Sequence, residues 1–355
     1  MNATAVDQEL SEMMSAVFAR HREENEPADD VATWDTDLWN QLGGLGLTRL
    51  TGLEESGGSG AGWFEAAELL RAAAWNGVRL PLAEHDLLAG WLLETAGLPV
   101  DDERRTVCVL DHSGVARNVP WAGQAERVVT VWRAGGYLVA DLPVSALRIE
   151  GGANIAGEPR DTVAVDLTGR SGTPIANEVV DQLQLRGALA RGLQICGALD
   201  RVLDLSISHA SDRIQFGRPL AKFQAVQALV ADIAAEAALA RAATEGALAE
   251  AVRTAWSGEQ LEFLVGVARS CGGHAASTVV RNAHQVHGAI GTTREHRLHE
   301  FTKPALAWRS EFGSVQHWDD RLTTLTLAAG RDGLWPLITG DEPDLNRPPT
   351  PHKES

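Results

Sequence analysis

The chain has 355 residues, with 31 Lys and Arg against 48 Asp and Glu and a formal net charge of -17. This acidic balance argues against nucleic acid or an anionic membrane as a partner, because both bind basic protein surfaces. The length is enough for a large core and predicts two or three domains.

Cysteine usage and the N-terminus indicate the compartment. Cys108, Cys196 and Cys271 lie far apart and form no Cys-x-x-Cys pair. This spacing suits a reducing compartment and excludes a disulfide framework or a clustered thiolate metal site, so no metal site is predicted. The N-terminus lacks the basic and then apolar segments of a signal peptide, and no apolar run has membrane-spanning length. We therefore expect a cytoplasmic protein without a membrane partner.

The N-terminal third predicts amphipathic helices. Apolar residues repeat at helical spacing over residues 5–24, 38–45, 63–75 and 82–95. The glycine-rich stretch 54–61 lacks the Lys-Ser/Thr ending of a phosphate-binding loop, and no strand precedes it. It is interpreted as a flexible loop.

From Thr106 the apolar period changes from helical to alternating. Short β-rich runs, separated by Gly, Pro and Asp, cover residues 107–110, 128–132, 137–140, 147–149 and 162–165. After Thr173 the pattern becomes helical again, over residues 177–211, 222–257, 259–287, 295–301 and 313–329. From Asp341 the tail is polar and Pro-rich, which predicts disorder.

The predicted fold class is therefore α+β, mainly α. The predicted domains are an N-terminal helical domain (1–103), a small β-domain (104–172), a C-terminal helix bundle (173–335) and a polar tail (336–355).

The segment from Arg213 to Gln227 is unusual for a connection between two helices. It contains Arg, Gln, Phe, Gly and Pro, and a helix is expected to restart at about Ala221. In one interpretation Gly217 and Pro219 break the chain, and the rings of Phe216 and Phe223 plug the end of the bundle. In the other, an Arg, an aromatic ring and the amides of a helix N-terminus bind a phosphate-bearing ligand.

Two segments match one family pattern. Residues 213–227 fit Arg-x-x-Phe-Gly-x-Pro-Leu-x-x-Phe-Gln-x-x-Gln, and residues 285–296, Gln-Val-His-Gly-Ala-Ile-Gly-Thr-Thr-Arg-Glu-His, are similar to Gln-x-His-Gly-Gly-x-Gly-x-Thr-x-Glu-His. Both patterns, in this order, resemble the acyl-CoA dehydrogenase family. The resemblance is good from about Leu183 to Leu327 and looser in the N-terminal third.

The resemblance implies a fold, a cofactor and a reaction. FAD is expected between the β-domain and the bundle, shared across a dimer interface. A carboxylate takes the α-proton of an acyl-CoA thioester while the β-hydride passes to flavin N5. The implied partners are the acyl-CoA substrate, a homologous subunit and an electron acceptor such as electron-transfer flavoprotein.

The resemblance also implies which residues hold the ADP half of a flavin whose ring lies in the neighbouring subunit. They are Arg213, Phe216, Gln224, Gln285, His287, Gly288 and Gly291. For His287 alone, the alternative is a hydrogen-bonded histidine at a helix end. Ala289 departs from the family pattern, which has a second glycine there.

The residues expected to hold the flavin ring and to act as base match the family pattern less completely. The family's Thr-Glu-Pro-x-x-Gly-Ser-Asp and Trp-Ile-Thr-Asn segments are missing, although Glu158-Pro159 and Asn118-Val-Pro-Trp121 resemble parts of them. Glu311, one residue before the expected position, is the predicted base, and the alternative is a helix-start carboxylate. The second base position of the family, before Arg186, holds Leu185.

Three hypotheses follow. The first is a subunit of a heteromeric, α2β2-like acyl-CoA dehydrogenase that contributes the ADP half of the FAD site. The second is a self-sufficient homo-oligomeric enzyme with Glu311 as base, and the third is a non-catalytic structural subunit.

Overall fold

The structure, a computed structural model, describes residues 6–25 and 31–340. In chain order, a block of strands lies between two groups of helices. The N-terminal elements are α1 (Gln8–Glu24), α2 (Thr36–Gly44), α3 (Trp63–Trp75), a π-helical segment (Ala83–Gly90) and α4 (Trp91–Thr95). The strands are β1 (Arg105–Val109), β2 (Val115–Pro120), β3 (Arg127–Arg133), β4 (Tyr137–Pro143), β5 (Arg148–Glu150), β6 (Arg160–Ala164) and β7 (Thr173–Ile175).

The C-terminal elements form a bundle of long helices. They are α5 (Asn177–Asp212), β8 (Ile214–Gln215), β9 (Arg218–Pro219), α6 (Gln224–Arg253), α7 (Glu259–His287), α8 (His299–Trp308) and α9 (Val315–Thr339). α6 and α7 pack along each other, and α5 packs on both and on α3. The predicted disordered tail from Asp341 lies outside the described residues.

Local sequence explains several helix ends. The Asp7 carboxylate caps α1 by accepting the N–H of Glu9 at 2.8 Å. The Ser314 hydroxyl caps α9 by accepting the N–H of His317 at 3.1 Å. Gly330, at a φ of 65°, kinks α9. The predicted end at residue 329 therefore marks this kink, and the helix resumes beyond it.

The strands form two sheets that share a core. β1, β3, β4 and β7 form one sheet, with β1 and β3 parallel, while β2, β6 and β5 form an antiparallel sheet. Val128, Trp132 and Val163 are among the side chains between them. The opposite face of the first sheet packs against α4 and the start of α5. The apolar pattern missed β2, which carries a bulge, and β7, which has only 3 residues.

Apolar side chains join the two helical groups. Leu70 of α3, Leu189 of α5 and Leu261 of α7 belong to one core. The far end of the bundle has its own core, which includes Ile233 and Phe301. A shared core fixes the N-terminal helices against the bundle.

Residues 54–61 form a loop with one 3-10 turn, as predicted in part, and backbone hydrogen bonds hold this loop. The N–H groups of residues 59–61 donate to carbonyls within residues 49–52 at 2.9–3.0 Å, so the segment is tied down.

The domain boundaries stay predictions. β7 pairs with β4 from beyond the predicted boundary at residue 172, and α9 runs past the predicted end of the bundle at residue 335. None of the helices in the described part of the chain is long and apolar enough to cross a membrane.

Candidate functional site

The first motif forms a short hairpin after α5. Arg213 is the C-cap of α5, and its N–H donates to the carbonyl of His209 at 2.9 Å. β8 and β9 pair across Phe216 and Gly217, whose φ angles of 52° and 78° suit a tight hairpin turn. Phe216 is 90% exposed. The interpretation that its ring plugs the end of the bundle is therefore wrong.

α6 begins at Gln224 rather than near residue 221, because a 3-10 turn comes first. No side chain caps its N-terminus, and Gln224 is exposed. The Arg218 guanidinium lies 4.1 Å from the ring centroid of Phe223, the N-cap residue. Cations beside an uncapped helix N-terminus favour an anionic ligand.

The second motif forms the end of α7. The helix ends at His287, and Gly288, at a φ of 64°, turns the chain away. Gln285 and Gly288 are exposed, whereas Gly291 is buried. A Cβ at Gly291 would lie 2.7 Å from the Cβ of His287, so only glycine fits there. Ala289, which replaces the family's second glycine, is exposed.

Three histidines bring the two motifs together. The His209 and His287 rings stack with centroids 4.5 Å apart, and the His296 ring is also 4.5 Å from that of His287. Arg213 lies one turn after His209, and Gly288 follows His287. The ends of α5 and α7 therefore meet, which places the predicted ADP-binding residues at one end of the bundle.

Burial favours the neutral form of the three clustered histidines. Burial lowers the pKa of His287 to about 4, and burial also lowers the pKa of His209 and His296. The permanent positive charge of the hairpin thus comes from Arg213 and Arg218.

Glu311 lies in a buried ionic network in the turn between α8 and α9, not at a helix start. One oxygen accepts Arg160 Nε at 2.8 Å, and the other accepts Arg160 Nη2 at 3.0 Å and Arg191 Nε at 2.7 Å. Asn154 Nδ2 adds a bond of 3.2 Å. Both carboxylate oxygens are bound by guanidinium groups.

The network continues on both sides of these arginines. Arg191 also pairs with Glu84 of the π-helical segment. Arg160 pairs with Glu158 at 2.9 Å, and the Trp308 indole N–H donates to the same carboxylate at 2.9 Å. The Glu158-Pro159 pair therefore serves this buried network.

The network makes Glu311 a weak base. Burial alone would raise its pKa, but Arg191 and Arg160 outweigh burial and hold the pKa well below its ordinary value. Proton abstraction is favoured by a base whose pKa lies near the working pH. The assignment of Glu311 as catalytic base stays a prediction that this environment disfavours.

Aromatic rings surround Arg186, the residue that follows the second base position of the family. Arg186, after Leu185, is buried, and its guanidinium carbon lies 3.9 Å, 4.4 Å and 5.5 Å from the ring centroids of Trp91, Trp256 and Trp63. Burial lowers the pKa of Arg186 to about 9. These contacts account for three of the many tryptophans.

Sequence reasoning missed several charged residues of the network and two histidines of the cluster. They are Glu84, Arg160, Arg191, His209 and His296. For Arg191 a signal was present, since it stands within an otherwise apolar helical stretch and a buried charge needs a partner. The partners themselves come from distant parts of the sequence.

The family model described as acyl-CoA dehydrogenase, C-terminal domain, matches residues 178–316. This range includes both motifs and α5 to α8. Over these residues, which are less than half of the sequence, the chain is similar to acyl-CoA dehydrogenases. Its predicted fold class, α+β and mainly α, is confirmed by the described elements and by the structural likeness below.

Two similar acyl-CoA dehydrogenases come from Mycobacterium tuberculosis. FadE34 is 27% identical over 326 residues, which cover 84% of this chain and 44% of that protein. FadE27 is 26% identical over 311 residues, which cover 76% of this chain and 82% of that protein. This chain therefore spans less than half the length of FadE34.

A solved structure shares the fold. The ChsE4-ChsE5 complex from Mycobacterium tuberculosis matches with a TM-score of 0.79 and 19% identity, covering 93% of this chain and 100% of the matched chain.

Proposed function

We propose that the chain is one subunit of a heteromeric, FAD-dependent acyl-CoA dehydrogenase and supplies the ADP-binding half of a flavin site to a homologous partner. The observation that carries this proposal is the exposure of both motifs at one end of the bundle. A cofactor bound only there would be open to solvent, and ligand sites usually bury most of their ligand. A second chain is needed to cover it. The complex named in the structural match, ChsE4-ChsE5, supports a two-component assembly.

The exposed residues fit the ADP half of FAD. The Arg213 guanidinium can pair with two pyrophosphate oxygens, and the N-terminus of α6 adds backbone donors. The exposed Phe216 ring offers a flat surface for adenine, and Gln285 offers an amide. FAD, when bound, accepts the hydride that leaves the β-carbon of the acyl-CoA.

The segments nearest to the family's flavin-ring motifs serve this chain's own packing. Glu158 belongs to the buried ionic network. Trp121 is 2% exposed and lies edge to face with Trp34 at 6.0 Å. We therefore place the flavin ring on the partner subunit.

We also assign the base to the partner. Glu311 would have to leave two guanidinium groups to accept a proton, so we assign it a structural role. In the assembled enzyme, a carboxylate of the partner takes the α-proton of the acyl-CoA, and an acceptor such as electron-transfer flavoprotein takes the electrons. A self-sufficient homo-oligomer would require Glu311 to be free of Arg160 and Arg191.

Flavin content tests the assembly. The chain is purified alone and also after co-expression with a homologous acyl-CoA dehydrogenase encoded nearby, and the flavin absorbance per chain is compared. We expect little FAD on the chain alone and full occupancy in the complex. A single chain with stoichiometric FAD that bleaches on addition of acyl-CoA would establish the self-sufficient enzyme and refute the proposal.

Arg213→Ala tests the ADP site in the complex. Losing a charge-assisted pair costs about 1.5–3 kcal/mol, which weakens FAD binding about 10- to 100-fold. Arg117→Ala, which removes an exposed Arg from β2, is the matched control and should bind FAD like the wild type. Equal FAD affinity of the Arg213→Ala and wild-type complexes would show that Arg213 does not contribute to FAD binding.

A further inference from the structure

Three imidazoles converge where α5, α7 and the loop before α8 meet. His209 lies in the last turn of α5, His287 ends α7, and His296 lies nine residues further along the chain. One ring nitrogen of each lies within 4.8 Å of the corresponding nitrogens of the other two. His287 is buried, while the other two are half-buried.

His287 is held in a form suited to a metal ligand. Its Nδ1 lies 2.7 Å from the carbonyl of Ala283 and donates its proton there. The lone pair is thereby left on Nε2, which is buried and has no hydrogen-bond partner. The side chain is only 5% exposed. An unpartnered buried polar atom requires an explanation, and an imidazole whose second nitrogen donates to a backbone carbonyl is the usual arrangement of a metal-binding histidine.

We propose that His209, His287 and His296 bind one divalent transition-metal ion, with Zn²⁺ the best suited. Neutral imidazoles are preferred ligands of Zn²⁺, and three of them leave one tetrahedral position for water. Because His209 and His296 are half-buried, that fourth position can face solvent. The sequence analysis predicted no metal site, because it considered only the spacing of the cysteines.

Binding requires rearrangement within the cluster. Ligand nitrogens around a tetrahedral Zn²⁺ ion lie about 3.3 Å apart, so the stacked rings of His209 and His287 have to rotate. His296 Nδ1 accepts the N–H of Leu298 at 3.1 Å. Binding through Nε2 of His296 moves its proton to Nδ1 and breaks that bond. These costs predict a modest affinity.

The alternative is a packed cluster of neutral imidazoles. It accounts for the ring contacts, but it leaves His287 Nε2 without a partner. A bound ion would also join the end of α5 to the end of α7, and so fix Arg213 relative to Gly288. The metal site itself does not depend on the proposed flavin function.

Zinc titration of the full chain tests the proposal. The protein is purified without a polyhistidine tag, stripped with EDTA and titrated with Zn²⁺ in competition with a chromophoric chelator. We expect one Zn²⁺ per chain. Co²⁺ in the same site should give the visible absorption of a four-coordinate ion.

The variants His287→Gln and His209→Gln should each weaken Zn²⁺ binding by about tenfold or more. His274→Gln is the matched control, since His274 lies on α7 outside the cluster and contacts Asp319. Thermal unfolding of the metal-free proteins shows whether a variant has lost Zn²⁺ binding or has failed to fold. If His287→Gln does not fold, His209→Gln, at the less buried position, tests the site instead. No binding by the wild type, or wild-type affinity in both cluster variants, would overturn the proposal.

Discussion

Replacing Glu311 by Gln distinguishes a structural carboxylate from a catalytic base. Gln has nearly the same size as Glu, so the change removes a charge without leaving a cavity. In the variant, Arg160 and Arg191 lose an anion that both of them bind, and their side chains are only 4% and 2% exposed. We expect a large loss of stability rather than a specific loss of chemistry.

The structure sets the size of that loss. Removing one partner of a buried ion pair costs about 3–5 kcal/mol, because the other charge stays buried. Arg160 keeps Glu158 and Arg191 keeps Glu84 in the variant. We therefore expect the lower end, about 3 kcal/mol in the free energy of unfolding at pH 7.

Urea unfolding of the wild type and Glu311→Gln measures this difference. Glu55→Gln, at an exposed position, is the control and should change stability by less than about 0.5 kcal/mol. The folded-state pKa of Glu311 lies below its ordinary value of 4.5, so its contribution is complete above pH 4.5 and is lost as the pH falls through the folded-state pKa. The two proteins should therefore converge in acid.

A stable Glu311→Gln protein would refute this reasoning. If that variant also assembled with its partner, kept FAD and lost acyl-CoA turnover, Glu311 would be the base. Reduced stability with normal turnover in the assembled complex would support the structural role.

Two further predictions concern packing and buried acids. Gly187→Ala places a Cβ 2.3 Å from the Phe312 ring, so urea unfolding should show that the free energy of unfolding falls by about 1–3 kcal/mol. The Cβ of Gly246→Ala meets no atom within 4 Å, so this substitution in α6 should raise the free energy of unfolding by about 0.5–1 kcal/mol. Equal effects of the two substitutions would contradict the packing. Burial raises the pKa of Asp86 to about 7, so the wild type should lose stability relative to Asp86→Asn as the pH rises from about 4 to 7. Parallel stability curves for the wild type and Asp86→Asn over this range would contradict that assignment.

The buried network and the exposed motifs indicate different roles for the two subunits of the proposed heteromer. Glu311, Arg160 and Arg191 are committed to holding α5, the β-strands and the turn after α8 together. Arg213 and Phe216, by contrast, have open surfaces available for a ligand. Within the proposed heteromer, this chain would contribute stability and cofactor contacts, and the partner would contribute the reactive groups.

The order of the elements and many of their ends could be predicted from local sequence patterns. The predicted helices 63–75 and 259–287 coincide with α3 and α7, because apolar periodicity and helix termination are local properties of the chain. The family motifs were also readable, since each occupies one continuous segment. β2 and β7 were not predicted, because the bulge in β2 and the 3-residue length of β7 leave too little alternation of apolar and polar residues to detect.

The contacts between charged and titratable groups could not be predicted from the sequence. Glu311 binds Arg160 and Arg191, which lie 151 and 120 residues away in the sequence. The three clustered histidines come from two helix ends and a loop. Such contacts depend on how the helices and sheets pack, and neither periodicity nor residue type specifies that packing. The same packing places the half-buried Glu311 between two cations, whereas it leaves Phe216 in solvent.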